Sequence, residues 1–283
     1  MPKISLSTWS LFLKMNYRRA IQFAVENGFE GVELWSNSFD FWPRTLTVRE
    51  IDCIKSMATE NRLDLAVHFC TAGNNLAALN AGHLSESMNQ LKETIRLCRR
   101  IGAGIVVVHP GTSPAVTFHT EHNLNPKYTP TALLQAAIER YKKSLIEGAA
   151  YAESHDVVLA VESFGHEENS IQATLEDLAD WVDSINMPSL RVALDTGHAF
   201  QTGGLERAIA VLGRRICHVH VSDADNSSGS CELELGTGEI DWPSIAEFLK
   251  SFEGMLSLEV LVRDNLEAAI LRSKSFLAKL LAA

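Results

Sequence analysis

The chain has 283 residues, of which 46% are hydrophobic, 21% charged and 7% aromatic, and this profile excludes a disordered, collagen-like or coiled-coil protein. The formal net charge is −10, and the 25 basic and 35 acidic residues are spread along the chain, which disfavours a nucleic-acid partner. The five cysteines are widely spaced and include no C-x-x-C pair, as is typical of thiols in a reducing compartment.

Eight short runs rich in β-branched and apolar residues recur along the chain. Each has about six residues, and several lack polar alternation, as do the buried strands of a parallel sheet. In chain order the predicted strands are Ile4–Trp9, Glu30–Trp35, Asp64–Phe69, Gly104–His109, Val157–Glu162, Leu190–Asp195, Ile216–Val221 and Leu256–Leu261.

Segments with the 3.6-residue period of amphipathic helices separate these strands. The predicted helices are Asn16–Asn27, Val48–Asn61, Ser85–Ile101, Thr131–His155, Thr174–Ser184, Leu205–Gly213, Pro243–Lys250 and Leu266–Leu281. Thr47 and Glu50 match a capping box that begins the second helix. Two long loops, 111–130 and 223–241, follow strands four and seven.

The alternation of eight strands with eight helices predicts an α/β fold, a single (β/α)8 TIM barrel. An open doubly wound sheet is the alternative. No linker or composition shift divides the chain, so we predict one domain that spans residues 1–283. No apolar run reaches the roughly 18 residues that a membrane helix requires, and the first residues lack a signal-peptide cleavage site. We therefore expect a cytoplasmic protein with no membrane partner.

Seven of the predicted strands carry a His, Asp or Glu residue at or near their carboxyl end. These residues are Glu33, His68, His109, Glu162, Asp195, His220 and Glu259. The carboxyl ends of barrel strands meet at one face, which carries the active site in TIM-barrel enzymes. Because buried carboxylates are costly unless they are paired, hydrogen-bonded or metal-bound, the sequence predicts a cation at this face. Nitrogen and oxygen donors without thiolates suit Mn²⁺, Zn²⁺, Fe²⁺ or Co²⁺ and exclude a cysteine-based structural zinc site.

Several sequence segments resemble those of a known superfamily. The segments are VHF, VVVHPG, AVESFG, LDTGHAF, HVHVSDA, LGTGEIDW and LSLEV. Their order and spacing from about Ile4 to Leu261 resemble the xylose-isomerase-like barrels. That superfamily includes isomerases and epimerases of sugars and sugar phosphates, together with abasic-site endonucleases of the endonuclease IV type. The resemblance implies a metal-dependent enzyme and is compatible with a homo-oligomer.

The epimerase branch implies a single divalent ion held by residues of strands five to eight. Carried over residue by residue, these ligands are Glu162, Asp195, His220 and Glu259. The implied reaction is proton transfer beside the carbonyl of a sugar, a sugar phosphate or a related polyol ketone, through a metal-stabilised enediolate. Glu162 and Glu259 are the implied catalytic residues, one removing the proton and the other delivering it.

The endonuclease branch is the alternative, a metal-dependent phosphodiesterase that acts at abasic sites in DNA. It implies that His68 and His109 hold a second metal, which they share with Glu162. A third metal of that branch requires His198 together with an Asp-x-His motif after strand seven. The corresponding segment here is Ser230-Cys231-Glu232, so both expected ligands are missing unless Glu232 or Glu234 replaces them. The loops also lack a Lys/Arg cluster for a DNA backbone. The sequence therefore favours a carbohydrate substrate, with His68, His109 and His198 as ligands of a second metal or as substrate contacts.

Other residues near the strand ends are candidate substrate contacts. The sequence predicts that Trp9 and Trp35, with Phe12 and Trp42, form an apolar wall beside the substrate. Asp223 is expected to orient His220 or to bind a substrate hydroxyl.

The predicted roles of three further residues are less specific. Arg263 either contacts a substrate anion or pairs with Asp264. His218 is expected to point away from the barrel interior and to be structural.

Overall fold

A computed structural model of the chain describes residues 2–37, 40–113, 131–164 and 170–283. Its eight strands form a closed parallel barrel in which each strand pairs with its neighbours in chain order. The strands are β1 (Lys3–Ser7), β2 (Gly31–Trp35), β3 (Asp64–His68), β4 (Ile105–Val108), β5 (Val158–Glu162), β6 (Leu190–Asp195), β7 (Ile216–Val221) and β8 (Met255–Leu258). The predicted (β/α)8 TIM barrel is confirmed.

Helices pack around the outside of the barrel. Within the described residues they are α1 (Tyr17–Glu26), α2 (Val48–Asn61), α3 (Ala81–Ile101), α4 (Thr131–Glu153), α5 (Leu175–Ile185), α6 (Thr196–Gln201), α7 (Leu205–Leu212), α8 (Trp242–Ser251) and α9 (Leu266–Ala282). The capping box of Thr47 and Glu50 is present at the start of α2. In the part of the chain that is described, no helix is both long and apolar enough to cross a membrane.

The short helix α6 is the element that the sequence did not predict. Six residues are too few to show a helical period, but the residue before it gives a local signal. Asp195 ends β6 and accepts a hydrogen bond from the backbone N–H of His198 at 2.8 Å, so a predicted metal ligand is also the N-cap of α6. This hydrogen bond fixes the direction in which the chain leaves the barrel.

Hydrophobic side chains pack on both faces of the barrel sheet. The larger layer lies between the strands and the helices, whereas Val107, Ala160 and Ala193 form a small separate cluster. Strand residues alternate between these two layers, and the side chains of the second layer share the barrel interior with the polar residues of the site. Of the two predicted long loops, 223–241 is described and is held by an antiparallel bridge between Asp223 and Leu233. Most of the other, from 114 to 130, lies outside the described residues.

Candidate metal centre

Six of the seven residues predicted at strand ends meet at the C-terminal mouth of the barrel. They are His68, His109, Glu162, Asp195, His220 and Glu259. His109 and Glu259 each lie one residue beyond the end of their strand. The His109 side chain is 29% exposed, whereas the other five residues are buried. The structure therefore brings the candidate ligands together, largely out of contact with solvent.

Four of these residues form one compact group, which we call the centre: Glu162, Asp195, His220 and Glu259. One ligand atom of each lies within 4.8 Å of the others. The Nδ1 atom of His220 lies 3.0 Å from Glu259 Oε2, 3.3 Å from Glu162 Oε1 and 3.8 Å from Asp195 Oδ2. Three carboxylates thus surround a single imidazole nitrogen.

The carboxylate of Glu162 also faces a second group of side chains. Its Oε1 atom is the one near His220, whereas its Oε2 atom lies 3.2 Å from His68 Nε2 and 3.0 Å from His109 Nε2. The rings of His68 and His109 meet edge to face with centroids 4.9 Å apart. Glu162 is therefore shared between the centre and this histidine pair.

The environment of His68 sets which of its nitrogens carries a hydrogen. Its Nδ1 atom lies 3.1 Å from the carbonyl oxygen of Phe69, which only accepts hydrogen bonds. In the neutral ring Nδ1 therefore carries the hydrogen, and the bare Nε2 atom faces a carboxylate oxygen of Glu162. Two acceptors at this distance repel each other unless the ring is protonated or a cation lies between them.

The centre sets three buried carboxylates against one imidazole ring. Burial, reinforced by Glu162 and Glu33, raises the pKa of Glu259 to about 7, and the opposing effect of His220 is smaller. Burial alone would also raise the pKa of Glu162, but the rings of His109 and His220 hold it well below its usual range. When all three carboxylates are ionised, their negative charge exceeds the one positive charge that the His220 ring can carry. Carboxylate oxygens and an imidazole nitrogen at these distances are a donor set that suits a divalent ion.

The buried pair of His218 and Glu33, which adjoins the centre, contradicts one prediction from the sequence. His218 was predicted to point away from the barrel interior, but its Nε2 atom lies 2.7 Å from Glu33 Oε2 and both side chains are fully buried. The prediction was wrong because residues two apart on a strand point to the same side, and the next such residue is His220. His220 Nε2 lies 3.1 Å from the same oxygen of Glu33. Glu33 thus accepts from His220 and leaves the Nδ1 atom of His220 facing the centre.

Replacing Glu33 by glutamine is expected to weaken Mn²⁺ binding roughly 10- to 100-fold. The amide is a weaker acceptor, so it orients the His220 ring less firmly and lowers the basicity of Nδ1. The dissociation constant can be measured by calorimetry on metal-free protein. Glu26→Gln, at an exposed position on α1, is the matched control and should bind Mn²⁺ as the wild type does. An unchanged constant for Glu33→Gln would show that Glu33 does not position His220.

His198 lies at the edge of the centre, on α6. Its Nδ1 atom is 3.6 Å from Glu162 Oε1 and 3.7 Å from Asp195 Oδ1. This nitrogen is buried and has no hydrogen-bond partner among the described residues. The position is compatible with both roles expected from the sequence, a substrate contact and a ligand of an additional metal.

Asp223 is fully buried in the loop after β7, and its contacts favour a structural role over the expected substrate contact. Its Oδ1 atom accepts hydrogen bonds from the backbone N–H groups of Ala224 and Ile240, at 2.9 and 3.2 Å. Its Oδ2 atom accepts from the backbone N–H of Gly236 at 2.7 Å and from Trp242 Nε1 at 3.1 Å. These four donors come from along the loop and from the start of α8, so Asp223 fixes the shape of the loop.

Three of the four aromatic residues expected beside the substrate cluster. The Trp35 ring contacts those of Trp9 and Phe12, with centroids 5.8 and 5.7 Å apart, and lies 5.6 Å from the ring of His68. The indole N–H of Trp35 is buried and has no partner among the described residues. Arg263 is exposed and forms no ion pair with Asp264 in the described part of the chain.

Two residues of the site were not found from the sequence. The ring of Phe164 lies 4.5 Å from that of His109 and 4.6 Å from that of His198, and its position two residues after Glu162 was the available signal. Ser7 ends β1, and its hydroxyl donates to Glu259 Oε1 at 3.2 Å. A polar residue at the end of the first strand matches the pattern of the other seven strands.

The family model described as the xylose isomerase-like TIM barrel matches residues 21–280. The chain belongs to this family. The strand ends that carry the centre all fall within the matched segment. The resemblance of the sequence segments to xylose-isomerase-like barrels is therefore confirmed.

Similar proteins carry names that indicate different activities. An uncharacterized protein of Methanocaldococcus jannaschii is 23% identical over 97% of this chain and 92% of its own length. A D-psicose 3-epimerase of Enterocloster bolteae is 29% identical, but the match covers only 44% of this chain and 41% of the epimerase. A probable endonuclease 4 of Methanoculleus marisnigri is 24% identical over 78% of this chain and 75% of its own length.

Comparison with solved structures extends the likeness of fold to nearly the whole chain. The structure of D-psicose 3-epimerase with D-tagatose from Clostridium cellulolyticum H10 superposes with a TM-score of 0.81 and 18% identity. The superposition covers 99% of each chain. At 18% identity the similarity establishes only the fold, and the reaction depends on the residues of the site.

Proposed function

We propose that the protein is a divalent-metal-dependent epimerase that inverts a carbon beside the carbonyl of a ketose or a related polyol ketone. The observation that carries the proposal is the buried convergence of Glu162, Asp195 and Glu259 on His220 Nδ1. This group offers a place for one cation and two carboxylates for proton transfer. Sugar 3-epimerases among the sequence relatives and the structural neighbours support this reaction.

The four residues of the centre would hold the ion, which when bound supplies Lewis-acid polarisation of the substrate oxygens. Glu162 reaches the centre from the end of β5, whereas Glu259 reaches it from beyond β8. The two carboxylates therefore approach from different walls of the barrel. In the proposed reaction one of them takes the proton from the substrate carbon and the other returns a proton to the opposite face. The hydroxyl of Ser7 holds one oxygen of Glu259 in place.

Polar groups near the centre suit a substrate rich in hydroxyl groups. A cavity of about 110 Å³ opens beside His109 and Phe164, and its lining combines apolar side chains with neutral polar ones such as that of Asn74. The Oδ1 atom of Asn74 is buried and has no hydrogen-bond partner among the described residues. The unpartnered indole N–H of Trp35 offers a donor on the side of His68. One acceptor and one donor without partners can be satisfied by substrate hydroxyls.

The second candidate function is a phosphodiesterase of the endonuclease IV type. The specific observation in its favour is that His68 Nε2 and His109 Nε2 both face Glu162 Oε2, as two ligands of a second ion would. The scarcity of basic residues at the C-terminal mouth of the barrel argues against this second function. In the described loops that follow the strands, the basic residues are Lys14, Arg44 and Arg263, on three separate loops. Arg44 is paired with two glutamates, so no described surface there is suited to a DNA backbone.

Chelation and substrate screening test the proposal together. Dialysis against a chelator should abolish the interconversion of free ketoses, and added Mn²⁺ or Co²⁺ should restore it. Products are separated by chromatography for a panel of ketoses and acyclic polyol ketones. The same metal-loaded protein is assayed on a duplex with one abasic site. Cleavage of that duplex without turnover of any ketose would replace the epimerase proposal by the phosphodiesterase.

A further inference from the structure

The cavity beside His109 has two walls that lie beyond the ends of the barrel strands. One wall is the loop after β3, which contributes Leu76, and the other is the loop after β4, which begins at His109. The side chain of His109 also reaches the centre, since its Nε2 atom lies 3.0 Å from Glu162 Oε2. The hydrogen bonds between strands do not extend to these loops, so other contacts set the distance between the two walls.

Two hydroxyl groups of the outer helix α4 hold the two walls. The hydroxyl of Tyr141 donates to the backbone carbonyl of His109 at 3.0 Å, and Tyr141 is fully buried. The hydroxyl of Ser144, also buried, donates to the carbonyl of Leu76 at 2.8 Å and lies 3.1 Å from the carbonyl oxygen of Arg140 in its own helix. Residues three apart lie on one face of a helix, so a single turn of α4 contacts both walls.

The position of α4 is itself set by close packing. A Cβ added to Gly148 on this helix would lie 3.1 Å from Leu91 Cδ2 on α3 and 3.2 Å from Leu159 Cδ2 on β5. The ring of Trp181, on α5, meets the Tyr141 ring edge to face with centroids 5.5 Å apart. A helix packed this closely does not shift without displacing its neighbours, so its hydroxyl groups are donors in fixed positions.

The two walls are also joined to each other. The side-chain amide of Asn75 donates to the carbonyl of Thr112 at 3.0 Å, and its oxygen accepts from the backbone N–H of Thr112 at 3.0 Å. Gly111 packs so closely against the loop after β3 that an added Cβ would lie 2.2 Å from Ala77 Cβ. The loops after β3 and β4 therefore form one unit, which the hydroxyl groups of α4 hold against the barrel.

We propose that Tyr141 and Ser144 are positioning residues that set the shape of the cavity and thereby the chain length of the ketose that the protein prefers. They act through the carbonyls of His109 and Leu76. The proposal rests on the proposed epimerase function, in which the cavity takes the end of the ketose that is remote from the inverted carbon. A site discriminates between substrates that differ by one carbon through the fit of that end, so a displaced wall changes the preference.

The ratio of kcat/KM for a hexulose to that for a pentulose tests the proposal, because inactive protein lowers both values equally. Tyr141→Phe keeps the ring but removes the donor to the His109 carbonyl. We expect the ratio to change about fivefold, the effect of one hydrogen bond, with little change in kcat for the better substrate. Ser144→Ala should also change the ratio. Tyr151→Phe, on the same helix, is the matched control and should keep the ratio, since the Tyr151 hydroxyl bonds to the exposed Arg96.

A second measurement follows His109 without any substrate. Diethyl pyrocarbonate modifies imidazole rings, and the His109 side chain is 29% exposed. Mass spectrometry of the peptide should show that Tyr141→Phe raises the rate at His109 about fivefold, because the loss of one hydrogen bond favours local opening by this factor. The exposed His83 is the internal control and should react at the same rate in both proteins.

An unchanged kcat/KM ratio in Tyr141→Phe, or an unchanged rate of modification at His109, would overturn the proposal. Absence of turnover of every ketose by the wild type would instead contradict the proposed function. The rate at His109 would still decide whether Tyr141 holds this wall, so the two failures are distinguishable.

Discussion

Replacing Glu259 by glutamine is expected to lower the kcat of the proposed epimerisation by roughly 10²- to 10⁴-fold, the usual contribution of a positioned acid or base. Glutamine keeps the size of the side chain and an oxygen for the hydroxyl of Ser7, which lies 3.2 Å from Glu259 Oε1. It cannot take up or deliver the proton. Glu162→Gln should cause a loss of the same order. The measurement is steady-state kcat at saturating ketose and Mn²⁺.

Metal content must be measured in the same samples, because Glu259 and Glu162 are also candidate ligands. Elemental analysis of the assayed protein separates the loss of the ion from the loss of proton transfer. Glu234→Gln is the matched control, since that side chain pairs with Arg272 outside the centre, and its kcat should equal that of the wild type. A Glu259→Gln variant that carries its metal and turns over at the wild-type rate would remove Glu259 from the mechanism.

Replacing Asp223 by alanine is expected to lower the free energy of unfolding by about 3 kcal/mol or more. The side chain is fully buried and accepts four hydrogen bonds, so alanine leaves several buried N–H groups without an acceptor. Asp223→Asn keeps one acceptor oxygen and should cost less. The change is measured by urea denaturation of the metal-free chain, which excludes effects of metal binding.

The control for Asp223 is Asp264, an exposed carboxylate in the loop after β8. Asp264→Ala should unfold at nearly the same urea concentration as the wild type. If Asp223→Ala also unfolded there, the loop after β7 would be held by other contacts. The carboxylate would then be available for the role that the sequence suggested, a substrate contact.

The sequence was sufficient to predict the barrel because each strand is a short apolar run bounded by a helix of clear period. The strand ends also indicated the centre, since Glu162 and Asp195 each end a predicted strand and His220 lies one residue before the end of another. Parallel strands in a closed barrel bring such residues together whatever the conformation of the loops. The position of these ligands therefore follows from strand order alone.

The sequence was less informative where contacts join distant parts of the chain. The role of Asp223 depends on donors up to 19 residues further on, whose approach no local pattern indicates. Cys231 lies beside His198 because Gly197 in α6 allows the loop after β7 to pack closely against this helix. The error at His218 had a different cause, since the two-residue period of a strand already predicted that it shares the side of His220.

Solvent deuterium incorporation tests the central proposal most directly. The Mn²⁺-loaded protein is incubated in D₂O with each ketose of the panel, and the substrate and product are followed by NMR. We expect deuterium to enter at the carbon that is inverted, and its rate of entry to fall with kcat in Glu162→Gln and Glu259→Gln. Turnover without deuterium at that carbon, or no exchange with any ketose of the panel, would contradict proton transfer between the two carboxylates.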